Sequence, residues 1–207
     1  ASNSPAPILV GPLLETATPF ASPRVMSLLY RPDQRSSLAQ LLSPTTSGGV
    51  LSKVLSGTLG LRPEQLFFTL ARISPEMVRS ALANSGLFGE YLLGHQLALR
   101  MDTKQLLRNL LRSDSFHKPD GISLDSAIDE IESRQLDGLH AQQNREVSYH
   151  FVMPFLDAEP IEMHFERGQR SLSKGENDWV INLHTNSADL GEVWSKTTIR
   201  GSSEIEM

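Results

Sequence analysis

Six histidines are the residues best suited to chemistry in this 207-residue chain, and their spacing sets the first question. None lie three or four positions apart in a helical stretch, the spacing that would put two imidazoles on one helix face around a metal. His150 and His164 instead share the outward parity of two neighbouring alternating segments. They are expected to face each other across a hairpin. Two cross-strand imidazoles hold a metal only with a third ligand nearby, and Glu162 or Glu166 is the local candidate. The simpler reading is a pair of solvated or half-buried histidines, so no metal, cofactor or catalytic residue is assigned.

Other catalytic arrangements fare no better. Nucleophilic serine chemistry of the hydrolase type needs a Gly-x-Ser-x-Gly elbow, which the sequence lacks. Ser85 and Gly86 follow a helical stretch and read as a helix stop. Gly48 and Gly49 are not followed by the Gly-Lys-Ser/Thr of a phosphate-cradling loop. The acid pairs Asp129/Glu130 and Glu162/Glu166 read as polar faces that confer solubility.

Two features point to partners rather than reactions. Arg100, Lys104, Arg108 and Arg112 recur every four residues, predicting a basic stripe opposite Leu106, Leu107, Leu110 and Leu111. Such a stripe suits an acidic partner or anionic headgroups, and its bland alternative is an ordinary solvated helix face. Trp194 alternates with Val193, so one of the two points away from the core, and an exposed Trp suits a protein contact.

The elements that must position these residues follow from composition and period. Apolar residues are 39% and aromatics 6%, so the core is expected to be built mainly of leucine beneath long polar stretches. A net charge of −5 disfavours a general nucleic-acid binder. With no cysteine, disulfides and thiolate metal sites are excluded. No run of eighteen apolar residues is present, and residues 1–14 lack the basic region of a secretory signal.

Residues 1–47 carry seven prolines and read as a Pro/Ser-rich lead or linker, with short helical turns near 25–30 and 36–42 and docking through Ile8, Leu9 and Val10. From 48 to 143 the period is helical. Val50, Val54 and Leu55 form one short face. Pro63 opens a second helix carrying Leu66, Phe67, Leu70 and Ile73. Ser74-Pro75-Glu76 caps a third, whose stripe is Met77, Val78, Ala81 and Leu82, and which Gly86 stops. Residues 87–97 suit a further helix weakened by Gly89 and Gly94. Asp102 caps the helix of the basic stripe. Another runs over 124–141, its apolar face interrupted by Arg134 and Gln135.

Beyond Glu146 the period becomes two. Val147, Tyr149, Phe151 and Met153 alternate with Ser148, His150 and Val152, and Ile161, Met163 and Phe165 repeat the pattern. Trp179, Ile181 and Leu183 begin a second hairpin that returns over 193–199 after a loop at 185–190. Short turns predict antiparallel pairing. The expected class is α+β: a helical module at 48–143, then a small antiparallel sheet at 147–207.

Three stretches, in order, resemble the flagellar hook-length control family. The first is Ser-Ala-Leu-Ala-Asn-Ser-Gly-Leu-Phe-Gly-Glu at 80–90. The second is Asp102 with Lys104, Leu106 and Leu107. The third is Trp179-Val-Ile-Asn-Leu183 followed by Asp189-Leu-Gly-Glu-Val193, similar to the hook-domain signature, in which an apolar strand leads through a Leu-Gly pair into the next strand. Trp179, Leu190, Gly191 and Val193 are its structural residues. Leu190 is expected to anchor the loop in the core while Gly191 turns the backbone.

The resemblance covers roughly residues 75–207. It implies a non-enzymatic protein of the cytoplasm, or in transit through the flagellar type III apparatus, whose partners are the export-gate switch protein and hook components. It also implies a sheet that normally continues into another strand, two helices and a last strand, so a domain ending at Met207 is expected to be incomplete and to leave an edge. A generic bacterial interaction or regulatory module is the alternative, and a hydrolase a distant third.

Overall fold

The computed structural model describes residues 36–45, 51, 57, 66–89, 102–112, 124–168, 178–187 and 189–200, with the backbone of 204–206. Four helices and a five-stranded meander make up the described regular structure: α1 (Ser37–Leu42), α2 (Pro75–Asn84), α3 (Thr103–Arg112), α4 (Leu124–Gln143), β1 (Val147–Met153), β2 (Ile161–Arg167), β3 (Trp179–Ser187), β4 (Gly191–Arg200) and β5 (Glu204–Glu206). All four strand pairings are antiparallel, in the order β1-β2-β3-β4-β5. The class is α+β, as the change of period near residue 145 predicts.

Local chemistry starts α1, α2 and α3. The Ser36 hydroxyl accepts from the Ala39 amide, Ser74 from Met77 at 3.3 Å ahead of Pro75, and the Asp102 carboxylate from Gln105 at 2.8 Å. Each satisfies an amide that the first helical turn leaves without a partner. Gly86 adopts φ +93° just after α2, a left-handed conformation that costs glycine little. A second constraint acts there too: a Cβ on Gly86 would sit 2.7 Å from the Lys104 Cβ. The stop after α2 is therefore also the seat on which α3 packs.

Two apolar cores lie on opposite faces of β1. On one side, α1, α3 and α4 bury Leu38, Leu41, Leu42, Leu106, Leu107, Leu110, Ala127, Ile128 and Ile131 together with Val152 of the strand. On the other, Ala81 of α2 packs with Phe151, Met153, Phe155 and Met163. Each fully buried leucine contributes roughly 1.5–3 kcal/mol, so the leucine-rich first core is a major source of stability. Val152, expected on the outward face of its strand, is buried because helices cover that face of β1 as well.

Residues 66–73 depart from the expected helix. Phe68 donates its amide to the Pro154 carbonyl and accepts from the Leu156 amide, both at 2.9 Å, forming a parallel bridge to Phe155. The Leu70 amide bonds Asp157, and only a 3-10 turn, Leu70–Arg72, remains, with Leu70 and Ile73 exposed. Pairing with a distant chain segment overrides the local 3.6-residue period. The expected helices at 25–30, 50–57 and 87–97, the Pro63 helix start and the docking residues Ile8, Leu9 and Val10 fall wholly or mostly outside the described residues.

Candidate functional site: the polar face and tip of the sheet

The pleat puts alternate residues of β1 to β4 on the face away from α2. One cross-strand row there is His150, His164, Asn182 and Lys196, and the next is Val152, Glu162, His184 and Trp194. His150 and His164 face each other as expected, stacked with ring centroids 5.2 Å apart. Apart from Val152, these residues line an open groove of about 400 Å³.

Glu162 is the hub of this face. Its carboxylate lies 3.5 Å from His150 Nε2, 3.2 Å from His184 Nδ1 and 3.2 Å from Arg134 Nη2. Burial raises its pKa, but the bond to His150, the charge of Arg134 and the bond to His184 outweigh that and hold the carboxyl below its ordinary value. His164 shifts down because burial disfavours its charged form. The nearby Glu166 carboxylate only partly opposes this. Its Nε2 lies 3.0 Å from the Ser148 hydroxyl and 3.3 Å from Glu166. Among the described residues, no group of three or more His, Asp or Glu side chains is arranged to hold a metal ion.

Behind Glu162 lies a charge cluster that spans three elements. Arg134 of α4 is only 6% exposed and pairs with Glu130 one turn earlier and with Glu162 of β2. Glu130 in turn accepts from the Ser36 hydroxyl at 2.6 Å and the Leu38 amide at 3.0 Å, closing the start of α1. In the sequence Arg134 merely interrupts an apolar stripe. A charged residue at a core position of a periodic helix was the available signal for a buried ion pair. The alternation of Trp179, Ile181 and Leu183 does not by itself single out His184. The strand continues to Ser187 and pairs there with Gly191, so the first residues of the expected loop at 185–190 belong to the strand.

The expected basic stripe divides. Arg100 lies outside the described residues. Lys104 is 4% exposed, with its Nζ 2.6 Å from Gln135 Oε1 and 3.6 Å from Glu132. Arg108 bonds Glu132 at 2.7 Å, and Arg112 is exposed. Lys104 and Arg108 thus serve the α3–α4 contact instead of one solvated basic face. The cause is helical geometry: Lys104 sits one turn before Leu107 and so shares its inward side. Leu111, counted in the apolar stripe, is exposed.

At the far end of the sheet, Gly191 has φ +73° and pairs with Ser187 across the β3–β4 turn, fulfilling its expected bend. Leu190 does not anchor a core: it is 79% exposed, because the turn projects beyond the part of the sheet that α2 covers. Val193 and Trp194 are both exposed, the latter at 69%, although the indole stacks on His184 at 3.8 Å. Trp179, at the other end of β3, is half-buried beneath the Arg167 guanidinium at 5.4 Å. No helix among the described residues is long and apolar enough to cross a membrane. Compared with protein-family models, curated proteins and solved structures, the chain matches none.

Proposed function

We propose that this chain is a non-enzymatic hook-length control protein, acting in the cytoplasm or during flagellar type III export to switch the apparatus between substrate classes. Its partners on this reading are the export-gate switch protein and hook components. The observation that carries it is the β3–β4 tip, where Asp189-Leu-Gly-Glu-Val193 makes a tight turn on Gly191 and leaves Leu190 and Trp194 exposed. An exposed Trp beside an exposed Leu at the hairpin tip suits a protein contact, since the residues that dominate interface energies are enriched in Trp. The ordered motifs add support: Gly86 of the first packs on Lys104 of the second.

Titration of the purified chain against the export-gate switch protein tests the proposal. Binding is expected, with Trp194→Ala and Leu190→Ser each weakening it about tenfold. Absence of binding, or affinity indifferent to both changes, contradicts the reading. The same exposed pair also favours the broader alternative of a generic bacterial interaction or regulatory module.

A further inference from the structure

The outer edge of β4 carries an inference independent of any flagellar role. β4 pairs with β3 from Gly191 to Ile199, whereas β5 pairs only with Thr198, Ile199 and Arg200. Among the described residues, the outward edge over 191–197 is therefore unpaired. Such an edge is a template for another strand. The seven residues have Trp194 at their centre, with Glu192 and Lys196 two positions to either side on the face that Trp194 occupies.

We infer that this edge is a self-complementary interface for a second copy of the chain, aligned antiparallel about a two-fold axis through Trp194. That register sets Glu192 opposite Lys196 of the other copy, twice, with Val193 opposite Ser195 and Trp194 opposite its equivalent. It uses the whole unpaired edge. A slip of two residues in one direction would run into β5, and a slip of one would turn the copy's polar face over. Opposite charges facing each other across strands are favourable and like charges unfavourable, so the edge's own sequence selects this pairing. The groove face with His150, His164 and His184 then runs continuously through both copies. A seven-residue edge is small for an interface, so the dimer is weak, with Kd in the micromolar range or above.

Sedimentation equilibrium on the purified chain over a range of concentrations tests the inference. The parent is expected to show a reversible monomer–dimer equilibrium. Glu192→Lys puts Lys opposite Lys, and Lys196→Glu puts Glu opposite Glu. Each alone is expected to weaken self-association about tenfold or more. Mixing these two variants restores both opposite-charge pairs, so the mixture is expected to dimerise like the parent, as is the Glu192→Lys/Lys196→Glu double variant. This rescue also separates the interface from the loss of the Glu192–His184 contact at 3.0 Å. A parent monomeric at every concentration, or single variants that dimerise unchanged, would overturn the inference. So would single variants that stay monomeric when mixed.

Discussion

His164 and Glu162 show how one sheet face sets the chemistry of single residues. The ring of His164 is half-buried between His150, Ser148 and Glu166, so the folded chain favours its neutral form and its pKa lies below 6.5. Above that value the ring is neutral in both folded and unfolded chains. As pH falls below it, the unfolded chain takes up the proton first and stability declines. Glu162 adds a second, more acidic stage. Its pKa is held below 4.5, so its contribution is complete above that value and is lost as pH falls through the lowered folded value. Urea-denaturation midpoints should therefore fall in two stages on acidification. His164→Gln should flatten the decline that sets in as pH falls below 6.5 while leaving the more acidic one. An unchanged profile in that variant would show that the burial of His164 does not govern the first stage.

Between elements, Arg134 is the most consequential contact. It joins α4 to β2 through Glu162, and its partner Glu130 closes the start of α1, so three separate parts of the chain meet around one guanidinium. Arg134→Ala leaves two largely buried carboxylates without their cation. A loss of about 3–5 kcal/mol is expected by urea denaturation. A loss below about 1 kcal/mol would mean that solvent already screens the cluster.

The elements also show what sequence periodicity conveys. Caps at Ser74 and Asp102, the stop at Gly86 and the α4 stripe from Leu124 to Ile131 are local signals, and each stands where its residues imply. The alternation of β1 and β2 likewise fixes their register. Phe68 misleads because its partner, Phe155, is 87 positions away and nothing in its own neighbourhood reports that pairing. Lys104 misleads because a four-residue repeat of basic residues does not reveal which side of the helix meets α4. Leu190 misleads because an apolar residue in a turn looks like an anchor until the reach of α2 over the sheet is known. The clustering of His150, Glu162 and His184 needed the register of three strands at once.

For the whole molecule, the helical and sheet portions are physically continuous. The end of β1 is buried on both faces, with Val152 in the core of α1, α3 and α4 and with Phe151 and Met153 in that of α2. β3 and β4 extend away from this double core, leaving the hairpin tip and the outer edge open to partners. On the proposed reading, the exposed Leu190, Val193 and Trp194 serve a contact role in hook-length control. Hook length by electron microscopy, in a strain lacking the gene and in one carrying it back, tests that role most directly. Loss of length control on deletion, restored by the intact gene and not by one encoding Leu190→Ser and Trp194→Ala together, is the expected result. Hooks of ordinary length and full motility in the deletion strain would contradict it.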